Sequence, residues 1–310
     1  MRDTPHGFLL LVPMGVGGIN ALPNRYPQAP MTSPSSAALL EVSGVTVRFG
    51  GITALDQVSF SVMPATIAGL IGPNGAGKTT LFNCLSRLYT FSEGRILFEG
   101  RSLTDSPAHR IAALGIGRTF QNLALFRTMS VWHNVMLGGH CRSSSGFLSN
   151  ALRLPHVQRE EESLSARAAQ AIDMLDLGPV AQTPVADLPF GTQKRVELAR
   201  ALMSQPKLLL LDEPAGGLNH EEVEELGRFI VRTRDDYELT VLLVEHHMNL
   251  VMGISDQVHV MNFGKMIAEG APDEVRANPA VIEAYLGTDE APETPEPTDA
   301  EPREEPDGAA

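Results

Sequence analysis

A glycine-rich segment in front of a predicted helix carries the clearest chemical signal in this 310-residue chain. The segment reads Gly72-Pro73-Asn74-Gly75-Ala76-Gly77-Lys78-Thr79-Thr80 and fits the pattern G-x-x-x-x-G-K-[ST]. It follows an apolar run from Thr66 to Ile71, which predicts the strand, loop and helix order that the pattern requires. Glycines let successive backbone N–H groups face an anion, and the helix N-terminus adds partial positive charge. The segment predicts an ATP or GTP site, with Lys78 on the β- and γ-phosphates and Thr79 on Mg²⁺.

Two carboxylates follow a second apolar run. Leu208 to Leu211 are four consecutive leucines, and Asp212 and Glu213 come directly after them. The carboxyl end of a buried parallel strand lies beside the phosphate-binding loop in doubly wound folds, so this pair is expected near the phosphates. Taken alone, such a pair is more often a solvated strand end, and the glycine-rich segment supplies the context that favours chemistry. We predict that Asp212 binds Mg²⁺ and that Glu213 holds the attacking water.

The remaining apolar segments alternate with helical patterns. Strands are predicted at 39–49, where alternation suggests the edge of a sheet, and at 58–62, 66–71, 94–98, 208–211, 240–244, 257–262 and 266–268. A mostly helical stretch is predicted from 131 to 177, broken by a serine-rich turn at 143–146. Alternating strands and helices predict an α/β protein with a doubly wound sheet.

The two ends of the chain differ from its middle. Residues 1–37 include the apolar run from Phe8 to Ala21, which is too short to cross a bilayer and follows too weak a basic start for a signal peptide. We predict a disordered leader there and hypothesise that translation begins at Met31. Residues 288–310 combine five prolines with dense acidic charge, which predicts a disordered tail. The folded domain is predicted at 38–287.

Charge and cysteine content exclude some classes of protein. The net charge is −13, but the tail from Thr288 onward contributes −8, through nine acidic residues and Arg303. The predicted folded part is therefore only mildly acidic and has no basic patch, which argues against a nucleic-acid binder. Cys84 and Cys141 do not form a CxxC pair, so neither a disulfide framework nor a zinc site is indicated. This usage fits a reducing cytoplasm.

Further segments occur in the order typical of ABC ATPases. Gln121 lies in Arg118-Thr-Phe-Gln-Asn122, and residues 188–202 read Leu-Pro-Phe-Gly-Thr-Gln-Lys-Arg-Val-Glu-Leu-Ala-Arg-Ala-Leu. The chain thus resembles the ABC ATPase superfamily, which implies a RecA-like P-loop core, an antiparallel β subdomain and a helical subdomain at about 122–205. The resemblance also implies that Gln121 contacts Mg²⁺ and water and relays the nucleotide state to membrane subunits. By the same resemblance, Gly191 and Thr192 belong to the signature segment, which binds the ATP of an opposite subunit.

The resemblance also implies roles for two more positions. His246 follows the strand at 240–244 and occupies the switch-histidine position, where it would act with Glu213 on the attacking water. His247, the next residue, is the alternative candidate for the switch-histidine role. Because side chains alternate along an extended chain, only one of the two histidines can point into the site. Phe49 lies where the superfamily stacks an aromatic ring on adenine, and its alternative role is an ordinary strand core residue.

The signature segment departs from the usual Leu-Ser-Gly-Gly-Gln. Pro189, Phe190 and Thr192 replace the serine, the first glycine and the glutamine, and Asn219 stands where most members have aspartate. The loss of the serine hydroxyl puts in question how well this face supports hydrolysis in the opposite subunit. Both departures resemble the branched-chain amino acid importers, which carry an aromatic residue before this glycine.

The resemblance to that group extends from about 38 to 287. The supporting segments are Arg48-Phe-Gly-Gly51, Arg118-Thr-Phe-Gln121, Leu125-Phe126, Glu245-His-His-Met-Asn-Leu-Val-Met-Gly-Ile-Ser-Asp256 and Ala284-Tyr-Leu-Gly287. The resemblance implies an ATP-hydrolysing importer subunit at the cytoplasmic face of the inner membrane, with ATP and Mg²⁺ as ligands. Its implied partners are membrane permeases, a second ATPase in a head-to-tail dimer and, indirectly, a solute-binding protein. Urea, amide or lipopolysaccharide systems and a soluble non-transport ABC ATPase stay open as alternatives.

Overall fold

The computed structural model describes residues 37–119, 123–140 and 155–286, and two sheets organise this part of the chain. The strands are β1 (Leu40–Phe49), β2 (Ile52–Val62), β3 (Ile67–Ile71), β4 (Glu93–Phe98), β5 (Arg101–Ser102), β6 (Ile116–Arg118), β7 (Leu208–Asp212), β8 (Thr240–Val244), β9 (Gln257–Asn262) and β10 (Lys265–Gly270). The larger sheet has the order β10-β9-β3-β8-β7-β6, and the smaller one has the order β2-β1-β4-β5.

The larger sheet confirms the predicted α/β fold. Its pairs from β6 to β9 are parallel, and β10 joins as an antiparallel edge strand. All five residues of β3, of β7 and of β8 are buried, because layers cover both faces of these strands. This double coverage explains the continuous apolar runs in the sequence.

The smaller sheet confirms the antiparallel strands but corrects one expectation. β1 lies between β2 and β4, so its predicted place at a sheet edge is wrong. Buried and partly buried residues alternate along much of β1. This alternation reports which face of the strand is covered, and it carries no information about how many strands flank it in the hydrogen-bonding direction.

The α-helices cover both faces of the larger sheet or form a separate helical region. They are α1 (Lys78–Leu85), α2 (Ile111–Leu114), α3 (Val131–Leu137), α4 (Pro155–Met174), α5 (Phe190–Leu202), α6 (His220–Tyr237), α7 (Met248–Ile254), α8 (Pro272–Arg276) and α9 (Pro279–Leu286). α3, α4 and α5 pack on one another and form the helical region that the sequence predicts between β6 and β7.

The core divides at the larger sheet. On one face, Ile67 and Ile71 of β3 pack in a cluster that extends to Val135 and Leu175 of the helical region. On the other face, Leu70 belongs to a cluster that joins the smaller sheet and α1. Alternate β3 side chains therefore anchor both layers.

Several predictions fall outside the described residues. These are Gln121, the serine-rich turn at 143–146, the acidic tail at 288–310 and the leader at 1–37 except Ala37. The predicted limits of the domain and of the helical subdomain remain predictions. Within the described ranges, none of the helices has the length and apolar character needed to span a membrane.

Asn134 holds the chain that enters the helical region. This residue of α3 is fully buried, and its Oδ1 accepts from the Phe126 N–H at 2.8 Å. Its Nδ2 donates to the carbonyl oxygens of Phe126, Met129 and Ser130 at 3.0, 3.3 and 3.1 Å. One buried amide thus binds four backbone groups of the 126–130 turn.

We predict that Asn134→Ala lowers the free energy of unfolding by about 1–3 kcal/mol, because it removes the hydrogen bonds of a fully buried amide and takes the acceptor from the Phe126 N–H. Urea denaturation of the purified chain measures the loss. Asn249→Ala is the matched control, because Asn249 is exposed on α7 and its change should stay within about 0.5 kcal/mol. Equal stability of the two variants would contradict the role of Asn134.

Candidate nucleotide-binding site

The predicted phosphate-binding loop joins β3 to α1, and close packing fixes its shape. Gly72 has φ +152° and Gly77 has φ +100°. A Cβ at Gly72 would overlap the carbonyl oxygen of Met261, and one at Gly77 would lie 2.7 Å from the carbonyl oxygen of Ala54. These two positions therefore require glycine, and the loop sits tightly between β2 and the end of β9.

A pocket of about 430 Å³ opens beside this loop. Its lining residues are Ile52, Thr53, Ala54, Asn74, Gly75, Ala76, Gly77, Lys78, Thr79, Thr80, Glu213, Phe263 and Gly264. The structure thus brings most of the predicted loop together with Glu213 in one cavity. Gly72 and Pro73 are buried at the base of the loop instead.

The Lys78 ammonium is folded back onto its own loop. Its Nζ donates to the carbonyl oxygens of Gly72 at 2.6 Å and Pro73 at 3.0 Å. Burial lowers the pKa of Lys78 below its usual value, and the negative charges of Glu213 and Asp212 oppose this shift. A cation held in this way is placed to receive an anionic phosphate chain.

Asp212 ends β7 and is buried in an ion pair that the sequence did not reveal. Its Oδ2 accepts from Arg118 Nη2 at 2.8 Å, and the same guanidinium donates to Asn83 Oδ1 and Ser86 Oγ, each at 2.9 Å. Arg118 was quoted only as a neighbour of Gln121, yet it joins β6 to β7 and to α1. The available signal in the sequence was a basic residue three places before Gln121.

Glu213 turns out of β7 into the pocket. Its backbone adopts φ +47°, which is rare for a residue with a side chain, while its N–H donates to the Val244 carbonyl at 2.9 Å. Strained backbone of this kind is typical of functional sites. The conformation separates the two carboxylates, because Asp212 continues the buried strand and Glu213 lines the cavity.

The aromatic residues near the pocket differ partly from expectation. Phe49 is about half exposed at the end of β1 and meets Tyr89 edge to face at a centroid distance of 5.4 Å. Its strand partner Ile52 lines the pocket, whereas Phe49 itself does not. Phe263 lines the pocket with 81% of its surface exposed, in the turn between β9 and β10. Sequence analysis missed Phe263, because its position depends on how this hairpin folds over the loop.

The predicted signature residues lie apart from this pocket. Gly191 and Thr192 are in the first turn of α5, and neither lines the cavity among the described residues. Thr192 Oγ1 accepts from Arg195 Nη2 at 3.2 Å. Phe190 packs on Gly217 of the loop that follows Glu213, because a Cβ at Gly217 would lie 3.0 Å from its ring.

The two histidines after β8 line a different cavity. The rings of His246 and His247 are tilted by 33°, with their centroids 4.6 Å apart, and border a groove of about 980 Å³ between α6 and α7. The His246 side chain is 57% exposed. The structure therefore places both histidines outside the phosphate-loop pocket, and Asn219, in the preceding loop, caps α6 through reciprocal bonds with Glu222.

Tyr285 is another residue that sequence reasoning did not assign to the site. It lies in α9, and its hydroxyl forms a hydrogen bond with the backbone of Gly72. Burial raises the pKa of Tyr285, and this hydrogen bond opposes the shift. The C-terminal helix thus contacts the start of the phosphate-binding loop.

Comparison with known families and proteins agrees with this fold. Residues 55–216 match the family model described as ABC transporter, and residues 265–291 match that of the branched-chain amino acid ATP-binding cassette transporter. The second match contains β10, α8, α9 and Tyr285.

Two relatives and one solved structure illustrate the similarity. The high-affinity branched-chain amino acid transport ATP-binding protein LivG of Escherichia coli strain K12 is 43% identical over 81% of this chain and 99% of its own. BraF of Pseudomonas aeruginosa, which bears the same description, is 42% identical over the same shares. The structure of the ADP conformation of MJ1267, an ATP-binding cassette of an ABC transporter, is 30% identical, with a TM-score of 0.71 over 81% of this chain and 100% of that one.

The fold agrees with these matches over the described part of the chain. The ATP-binding subunits of ABC transporters are ATPases. This chain belongs to the ABC transporter ATP-binding family, and within it to the branched-chain amino acid transport group.

Proposed function

We propose that this chain hydrolyses Mg²⁺-ATP at the phosphate-loop pocket and thereby drives the import of branched-chain amino acids through membrane permeases. One observation carries the proposal: Lys78 and Glu213 face the same cavity, and the negative charges of Glu213 and Asp212 act on the Lys78 ammonium. Family membership supplies the transport context.

Lys78 and Glu213 have different roles in ATP hydrolysis. The Lys78 ammonium leaves the carbonyl oxygens of its own loop and binds the β- and γ-phosphates. Glu213 accepts a hydrogen bond from a water molecule and takes its proton as the water oxygen attacks the γ-phosphorus. The bond to the β,γ-bridging oxygen breaks, and the products are ADP and phosphate. His246 would join Glu213 only after a change in conformation, because it borders another groove here.

The oxygen donors of the site fit a magnesium ion. Thr79 is exposed on the pocket wall, Asp212 lies behind Glu213, and Gln121 completes the predicted set. Hydroxyl, carboxylate and amide oxygens are ligands that a hard divalent cation accepts. One Asp212 oxygen binds Arg118, so its other oxygen would be the one to bind the metal. When bound, Mg²⁺ neutralises charge on the β- and γ-phosphate oxygens.

A head-to-tail dimer accounts for the separation of the two predicted nucleotide-contacting segments. Gly191 and Thr192 do not line the pocket that contains Lys78, so within the described chain they are free to contact another subunit's ATP. The second subunit is a copy of this chain or a paralogue. Closure of the dimer over two ATP molecules would then move the permeases, and a solute-binding protein would deliver the amino acid to them.

The substrate class rests on the group to which the chain belongs. Co-purification of the tagged chain from native membranes should recover two permeases and a second ATPase. Reconstitution of that complex into proteoliposomes should give ATP-dependent uptake of labelled leucine, isoleucine or valine in the presence of the binding protein. Uptake of urea, amides or a lipopolysaccharide instead, or recovery of no membrane protein, would contradict the proposal.

Glu213→Gln is predicted to lower kcat for ATP hydrolysis by roughly 100-fold or more, because the amide cannot take the proton of the attacking water. ATP affinity should be preserved, so the dimer should accumulate with ATP trapped in it. Phosphate release, equilibrium ATP binding and size-exclusion chromatography measure these effects. Glu161→Gln, on the exposed side of α4, is the control for the same chemical change. Wild-type turnover in Glu213→Gln would refute the assigned base.

Arg118→Gln is predicted to lower the free energy of unfolding by about 3–5 kcal/mol, because Asp212 is left as a buried, unpaired carboxylate. Mg²⁺-ATP should stabilise this variant more than it stabilises the wild type, since the metal replaces the missing positive charge. Thermal unfolding with and without Mg²⁺-ATP, and with ATP plus a chelator, measures the difference.

Arg48→Gln is the matched control for this experiment. It removes the exposed pair between Arg48 and Glu93, so its stability should change little. An equal gain from Mg²⁺-ATP in Arg118→Gln and in the wild type would show that Asp212 is not at the metal site.

A further inference from the structure

Glu245 is a buried carboxylate that the catalytic scheme does not use. It follows β8 directly and is 1% exposed. Its Oε1 accepts from the Ala215 N–H at 2.6 Å, and its Oε2 accepts from the N–H groups of His246 at 3.1 Å and His247 at 3.3 Å. Within the described part of the chain, His246 is the only basic side chain within 4.0 Å of it, with Nδ1 at 3.9 Å. Backbone N–H groups therefore provide most of its compensation.

These bonds join two segments that the sequence keeps 30 residues apart. Ala215 comes two residues after Glu213, and the turn that begins there is closed by bonds from Gly216 N–H to the Glu213 carbonyl and from Leu218 N–H to the Ala215 carbonyl. On the other side, His246 and His247 lead into α7. If either segment moves, the other must move with it, or a charge-assisted hydrogen bond of Glu245 must break. Breaking such a bond is costly because the carboxylate is buried.

The loop that follows Glu213 extends this connection to the signature helix. Gly217 of this loop packs against the Phe190 ring, and Phe190 begins α5. Lys194, one turn later, lies over the same ring, with Nζ 5.6 Å from its centroid. A continuous set of contacts therefore runs from the histidine segment through Glu245 to the predicted signature residues.

We propose that Glu245 is a positioning residue that fixes the switch histidine relative to the loop after Glu213, so that the two move as one unit during ATP hydrolysis. The inference rests on the proposed function, because it assigns no chemistry of its own to Glu245. This role requires both carboxylate oxygens of Glu245, because one accepts a hydrogen bond from Ala215 and the other accepts from the histidine segment.

A metal-binding role is less well supported by the same residues. The ligand atoms of Glu245, His246 and His247 lie within 4.8 Å of one another. Both oxygens of Glu245 already accept backbone hydrogen bonds, and the His246 side chain is 57% exposed. The arrangement therefore favours the backbone-positioning role.

Glu245→Gln tests the proposal in the complex with its permeases. The amide keeps the size of the side chain but turns an NH₂ group toward one set of N–H donors, so one of the two segments must move away. We expect kcat for ATP hydrolysis to fall roughly 10- to 100-fold, since displacements of about 1 Å cost this much. KM and equilibrium affinity for ATP should stay within about twofold of wild type, because Glu245 does not line the nucleotide pocket.

A double variant shows whether Glu245 acts through the histidine. If it does, Glu245→Gln combined with His246→Ala should have the same kcat as His246→Ala alone. If the two residues act independently, the losses in kcat should multiply, and the proposal is overturned. Glu283→Gln, at an exposed site on α9, is the control and should leave kcat unchanged.

Glu245→Asp keeps the assay informative if the glutamine variant does not fold. This shorter carboxylate cannot reach both segments, so it should also lower kcat with unchanged ATP affinity. Loss of ATP affinity in parallel with kcat in the folded variant, or wild-type kcat, would overturn the positioning role. Absence of ATPase activity in the wild-type complex would instead contradict the proposed function itself, so the two failures are distinguishable.

Discussion

Parallel pairing of β3, β7 and β8 is the constraint on which the whole site depends. Register links Leu70 to Val244 and Val244 to Asp212, so the three strands end at one edge of the sheet. The phosphate-binding loop, the two carboxylates and the Glu245–His246 segment therefore leave the sheet side by side, although more than 170 residues separate the first from the last. Burial of both faces of these strands holds that register in place.

Buried charge at this edge is compensated locally. Arg118 pairs with Asp212, and Glu245 is held by backbone N–H groups, so each carboxylate has a fixed direction. Lys78 is held by carbonyl oxygens that a phosphate chain can replace. Among the described residues, Lys78 can therefore exchange its partners for phosphate, whereas Asp212 and Glu245 are held in place by buried hydrogen bonds, which suits a pocket whose ligand changes charge during each cycle.

Sequence alone predicted the parts of the site that local motifs encode. The loop at 72–80 and Asp212-Glu213 needed only an apolar strand before them, and the structure brings residues 74–80 and Glu213 into one pocket. Arg118 and Phe263 escaped prediction, because their roles depend on which strands become neighbours and on how the β9–β10 hairpin folds. The edge position expected for β1 was wrong for a similar reason, since alternation describes a face and not a neighbour.

The most direct test of the account is the binding of a fluorescent ATP analogue to the full chain. Lys78→Ala should weaken this binding roughly 10- to 100-fold, because it removes a charged donor from the phosphates. Lys207→Ala should leave it unchanged, because Lys207 pairs with Glu99 on the surface. Equal affinities of the Lys78→Ala variant and the wild type would contradict the assignment of the pocket as the ATP site.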